Sequence, residues 1–161
     1  MFKWFKIVKN QYCGFWALAL ALFAIQEIPY MIMFFLHLDP NPVMDTPARF
    51  LVLDIFEKIF GVVCIVFMLF IVHKETKFFS LKTKNEIAYF TAAAAIILLN
   101  FVGWIVYFCG IRSVAVMIVF IFALPPLYYL FIGLWRKNYF LVPAAAAFFA
   151  VHLTNAFVNF L

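Results

Sequence analysis

Residues 87–109 read IAYFTAAAAIILLNFVGWIVYFC, an uncharged run whose one amide is Asn100. A helix needs about 20 apolar residues to cross the hydrocarbon core of a bilayer, and this stretch supplies them. Four more runs read the same way: 14–36, 50–73, 114–134 and 139–160. None alternates as the strand of a membrane barrel does, and lipid leaves only helices or closed barrels. The sequence therefore predicts an all-α polytopic membrane protein. It forms one domain over 1–161, with five transmembrane helices in one bundle.

Composition agrees. The chain is 69% hydrophobic and 12% charged, with a mean hydropathy of +1.10. Soluble domains run at roughly 45–50% apolar, and one this small has too little interior to hide such a surface. A soluble enzyme, a disordered tail and a disulfide scaffold are excluded as classes. The first run is too long for a secretory signal, and Leu22 sits badly at the −3 position of a cut after Ala24. It reads as a retained span.

Lysine and arginine set the expected orientation. Nine lie in the N-terminal segment, the loop after the second run and the turn after the fourth. Arg49 and Arg112 lie on the other side, and Lys58 falls within a span. This places the N-terminus inside and the C-terminus outside, in the plasma (inner) membrane. The net charge of +5 is accounted for in this way, and nucleic acid is not an expected partner. Thr46-Pro47 suggests the cap of the second helix. Gly110 marks a tight hairpin between the third and fourth. Trp16, Trp104 and Trp135 fall near span ends, where interfacial belts sit. Pro125-Pro126 predicts a kink in the fourth helix.

Ionisable groups within hydrocarbon are costly, so each is a candidate site. At about 1.5 Å per residue, Glu27 lies roughly 13 Å below the outer boundary. Glu57 and Lys58 lie at about 11–12 Å, Asn100 at about 13 Å and His152 at about 12 Å on the same scale. Four crossings thus bring polar groups to one level. His152, Asn155 and Asn159 form one helical stripe, and Asp54 and Lys58 are spaced as an intrahelical ion pair. Alanines crowd the opposite halves of the first, third and fifth helices, where small residues permit close packing. The expected shape is a funnel open to the outer face. Gln26, Glu27, Glu57, Lys58, Asn100, His152 and Asn155 are its candidate ligand-binding residues. Glu27 is the strongest, having no partner on its own helix. The simpler alternatives are an interhelical hydrogen bond for Asn100, an ion pair for Lys58 and a satisfied histidine at 152.

Cys13, Cys64 and Cys109 form no Cys-x-x-Cys, which argues against a disulfide oxidoreductase. His73 and His152 lie at different depths and do not suit a shared haem. No metal-ligand spacing, nucleophile motif or phosphate loop is present, and no cofactor is expected. Glu27, Asp54 and Glu57 against Lys58 leave the layer at −2, a charge that favours a bound cation or a proton. The expected function is binding or transport of a small polar or cationic solute, with proton coupling as one form of it. One alternative is an accessory subunit of a larger membrane complex. Another is an intramembrane enzyme using a carboxylate and His152 on a lipid-soluble substrate. A bundle this small also makes a homo-oligomer or a partner membrane protein an expectation.

Gln26-Glu27-Ile28-Pro29, followed by an acidic second helix, resembles the sterol-isomerase and sigma-2-receptor superfamily. The resemblance covers a few residues. It implies a four-helix fold, from which the fifth run departs, and no function is carried over from it.

Overall fold

The computed structural model describes residues 2–161. The chain is 68% helical, but it is not all-α. Strands β1 (Phe2–Val8) and β2 (Gln11–Phe15) form an antiparallel hairpin, and β3 (Ile71–His73) pairs antiparallel with β2. The expected lysine-rich tail is therefore part of a three-stranded sheet, ordered β1-β2-β3. Gly14 allows it. A Cβ there would sit 2.2 Å from the Phe2 carbonyl oxygen, so only glycine admits this close pairing. The first helix consequently starts at Ala17 instead of residue 14.

Five helices follow: α1 (Ala17–Met33), α2 (Leu51–Phe70), α3 (Lys84–Phe108), α4 (Val114–Trp135) and α5 (Leu141–Phe160). A one-turn helix, Pro42–Asp45, lies between α1 and α2. Among the described residues, only α3, α4 and α5 are both long and apolar enough to cross a membrane. α1, with 17 residues, is short. α2 has 20 residues but carries Asp54, Glu57 and Lys58, and its last expected turn is β3. Thr46 does not cap α2. It ends the one-turn helix, and α2 begins after Phe50 with Asp54 in its first turn.

Other boundaries follow their sequence signals. The Thr83 hydroxyl accepts from the Glu86 amide at 3.1 Å, and the Glu86 carboxylate accepts from the Lys82 amide at 2.8 Å, an arrangement related to the capping box. Ser113 caps α4 through the Val116 amide. Gly110, at φ +93°, ends α3 in the left-handed conformation that glycine adopts without a Cβ penalty.

Residues Met117–Ala123 of α4 form a π-helical segment ahead of Pro125-Pro126. A proline in an α register clashes with the carbonyl four residues back, and widening the helix relieves it. In the wider register, Pro125 lacks the amide that would meet the Phe120 carbonyl. The Asn100 amide takes that place, donating at 2.7 Å. Gly103, one turn along α3, lets the two helices touch: its Cβ would fall 2.1 Å from the Phe120 Cβ.

α4 lies between α3 and α5, and α2 packs along α5. The interior forms two clusters. One, near the sheet, centres on Trp16, Cys64, Met68, Tyr128, Trp135 and Leu141. The other, at the opposite end, centres on Met33, Trp104, Tyr107, Met117 and Ile121. The three tryptophans expected in an interfacial belt are thus core residues, each at most 3% exposed. Their indoles serve as wedges between helices instead.

The sheet end is held by polar groups, with Arg136 and Asn138 buried and Glu75 and Lys137 exposed. The Arg136 guanidinium lies over the Trp16 and Trp135 rings at 4.4 and 4.9 Å and donates to the Lys77 carbonyl. Burial lowers its pKa to about 10, so it remains a cation at neutral pH. Glu75 meets Lys137 at 2.8 Å, and that hydrogen bond holds the carboxyl below its ordinary range. Asn138 makes four hydrogen bonds. Its amide donates to the Phe67 and Ile71 carbonyls at the end of α2, and its oxygen accepts from the Phe140 and Leu141 amides opening α5.

Candidate functional site

Between the two core clusters lies a cavity of about 160 Å³. Gln26, Glu27 and Tyr30 line it from α1, Gly61 and Ile65 from α2, Pro125 and Tyr129 from α4, and Phe148 and His152 from α5. Helical spacing explains the convergence. Gln26 and Tyr30 are one turn apart, as are Gly61 and Ile65, and Phe148 and His152, so each pair shares a face. Pro125 reaches the wall from the turn that follows the π segment.

His152 is the pivot. Its ring packs between Phe122 and Phe148, with centroids at 5.3 and 4.9 Å. Its Nδ1 lies 2.9 Å from the Glu57 Oε1, a bent contact rather than a linear hydrogen bond. The other Glu57 oxygen accepts from the Asn155 amide. Asn155 in turn accepts from Asn159 at 3.2 Å, and the Asn159 oxygen accepts from the Arg49 amide at 2.9 Å. This chain fixes the imidazole from behind, as a carboxylate partner orients a working histidine. His152 Nε2 is buried and has no hydrogen-bond partner, and the same is true of Gln26 Oε1. Buried polar atoms are ordinarily paired. Two residues with orphan atoms beside one cavity make it a candidate site for water or a ligand.

Glu27 and Tyr30 also line a second, open cavity of about 370 Å³, with Met33, His37, Asn41 and Asp45. Glu27 and Tyr30 therefore stand in the wall of both cavities, the smaller called the chamber and the larger the vestibule. The Tyr30 ring is braced edge-on against Trp104, with centroids 4.9 Å apart. Asn41 is held by the Tyr107 hydroxyl at 2.7 Å.

Of the seven candidate residues, Gln26, Glu27 and His152 line the chamber, and Glu57 and Asn155 stand behind the histidine. Lys58 and Asn100 are not brought to it. Lys58 is 73% exposed and paired with Asp54 at 2.8 Å, because its adjacent position turns it roughly 100° from Glu57. Asn100 is spent on the Phe120 carbonyl. Asp54 and Lys58 cancel elsewhere, so the expected net of −2 falls on Glu27 and Glu57, the latter beside His152. No lysine or arginine lines the chamber among the described residues. Sequence reasoning missed Tyr30, Tyr129 and Phe148. The signal was present: Tyr30 follows Gln26, and Phe148 precedes His152, by one helical turn.

No group of three or more histidine, cysteine, aspartate or glutamate side chains that could hold a metal occurs among the described residues. Comparison with known families, with curated proteins and with solved structures finds no match to this chain.

Proposed function

We propose that the protein is a small polytopic membrane protein that binds a small polar or cationic solute in the chamber between α1, α2, α4 and α5, and passes it to or from the vestibule. One observation carries this reading: Glu27, Gln26 and His152 line one cavity, and Gln26 Oε1 and His152 Nε2 are buried and unpaired. A carboxylate and a carbonyl oxygen accept but do not donate. They favour a solute rich in donors or carrying positive charge.

In this reading α1 and α2 join α3, α4 and α5 as spans of a five-helix bundle. α1 crosses as a short helix with local thinning of the bilayer; of the charges of α2, Glu57 faces α5, and Lys58 is exposed and paired with Asp54 on its own helix. The lysine and arginine distribution supports an inner position for the sheet and an outer one for the vestibule. His152 and Glu57 add a route for a proton exchanged against the solute.

Glu27→Gln keeps size and polarity but removes the charge. It is expected to lower methylammonium binding or uptake in proteoliposomes by at least tenfold, while the melting temperature stays near that of the parent. Equal uptake by the two proteins would dismiss Glu27 as a contact. A second reading, intramembrane acid–base catalysis, draws on the orientation of His152 by Glu57. It would be recognised by turnover of a lipid-soluble substrate with a bell-shaped pH profile that His152→Gln abolishes.

A further inference from the structure

β1 is the outermost strand of the sheet, and all seven of its residues are exposed. Phe2, Trp4 and Phe5 are 67, 60 and 63% exposed. A strict period of two would put Phe2, Trp4, Lys6 and Val8 on one face, mixing aromatic with cation. The pairing breaks that period. Register shifts fall between Lys3 and Phe5 and again between Lys6 and Val8. Cross-strand partners share a face, so Phe2, Phe5 and Val8 lie with Phe15, Cys13 and Gln11. Lys3 and Lys6 lie with Gly14 and Tyr12. Two irregularities thus sort apolar from cationic side chains along a strand whose sequence does not.

Two further observations say what covers this strand. The first is charge. The hairpin is tied to the loops at the same end of the bundle: Lys3 donates to the Lys74 carbonyl, Lys74 to Asn10, and Gln11 to Lys137. That end holds nine lysines and arginines against Glu75 and Glu86, a net of +7. The second is continuity. β2 passes through Trp16 directly into α1, on which Leu20, Ile25 and Ile28 are likewise exposed.

We propose that β1 is an interfacial anchor that seats in the headgroup layer of an anionic phospholipid bilayer. Phe2, Phe5 and Val8 enter the acyl boundary, and Lys3 and Lys6 meet phosphates. Amphipathic elements bind such surfaces through buried apolar area plus attraction to anionic lipid. The competing occupant is a second copy adding to the open strand edge, which edge lysines disfavour. The proposal does not depend on the chamber.

The test uses the full chain with Cys13→Ser and Cys109→Ser, buried Cys64 left in place, and a nitroxide on Phe5→Cys or, separately, Val8→Cys. Each is reconstituted in vesicles of phosphatidylcholine with or without phosphatidylglycerol. Both labels are expected to be shielded from a water-soluble nickel chelate and open to oxygen when phosphatidylglycerol is present. Lys3→Gln with Lys6→Gln should weaken that phosphatidylglycerol-dependent shielding by about fivefold. Free access of the chelate to both labels in phosphatidylglycerol vesicles would overturn the proposal. Spin–spin broadening between copies would overturn it in favour of strand pairing. Equal shielding without phosphatidylglycerol would overturn the anionic-lipid assignment.

Discussion

Asn138→Ala is expected to cost about 3 kcal/mol of stability or more, the largest loss for any polar side chain in the protein. A net hydrogen bond contributes about 1 kcal/mol, but a buried partner left without one costs about 1–3 kcal/mol. Here the Ile71 carbonyl and the Phe140 and Leu141 amides lose a partner together, while the Phe67 carbonyl keeps only the Ile71 amide. The residue is 3% exposed, so water does not readily replace it. Thermal unfolding in detergent should show Tm lowered by roughly 6–12 °C. Asn138→Asp separates the two roles. It keeps an acceptor for the α5 amides but turns a carboxylate oxygen toward two carbonyls, so it should be at least as damaging as alanine. An aspartate variant as stable as the parent would show that the donor half of the keystone carries no weight.

Gly103→Ala is the second large effect, and two opposed terms decide its sign. Alanine in mid-helix is favoured over glycine by roughly 0.5–1 kcal/mol. Against this, the new Cβ would lie 2.1 Å from the Cβ of Phe120. Both atoms are fixed by backbone, so no rotamer relieves the contact and α3 must move away from α4. Overpacking of this kind costs about 1–3 kcal/mol and occasionally more. The separation also stretches the 2.7 Å bond from Asn100 to the Phe120 carbonyl. A net loss of about 2 kcal/mol is expected, read as a fall in Tm. Gly61→Ala is the internal control. Its Cβ would meet Phe148 at 3.6 Å, an ordinary contact, so little change in Tm is expected there.

The helical part of the fold was legible because lipid-type helices announce themselves by length and apolarity. α3, α4 and α5 fall within a few residues of their expected bounds, and the Pro125-Pro126 irregularity is where it should be. The sheet was not legible. FKWFKIV reads as a cationic tail when judged by period, since two register shifts hide its alternation, and β3 is too short to show any. The polar level was legible in part. Spacing placed His152, Asn155 and Asn159 on one stripe, and the structure joins Asn155 to Glu57 and to Asn159. Spacing could not say which neighbour each group meets. Lys58 and Asn100 share the depth of the site but not its direction, because depth follows from residue count and direction from packing. The tryptophans misled for a related reason: a position near a span end is equally a position where helices cross and wedge.

The proposed function requires a wet chamber reached past Glu27. Gly61→Cys places a thiol in that chamber with room for its Cβ. The background carries Cys13→Ser and Cys109→Ser, and buried Cys64 remains. In sealed proteoliposomes of known orientation, a membrane-impermeant cationic thiol reagent should label this position from the side of His37 and Asn41 and not from the side of the sheet. Methylammonium should slow the labelling. A cysteine at 61 that stays unreactive from both sides, in a folded protein, would contradict the account.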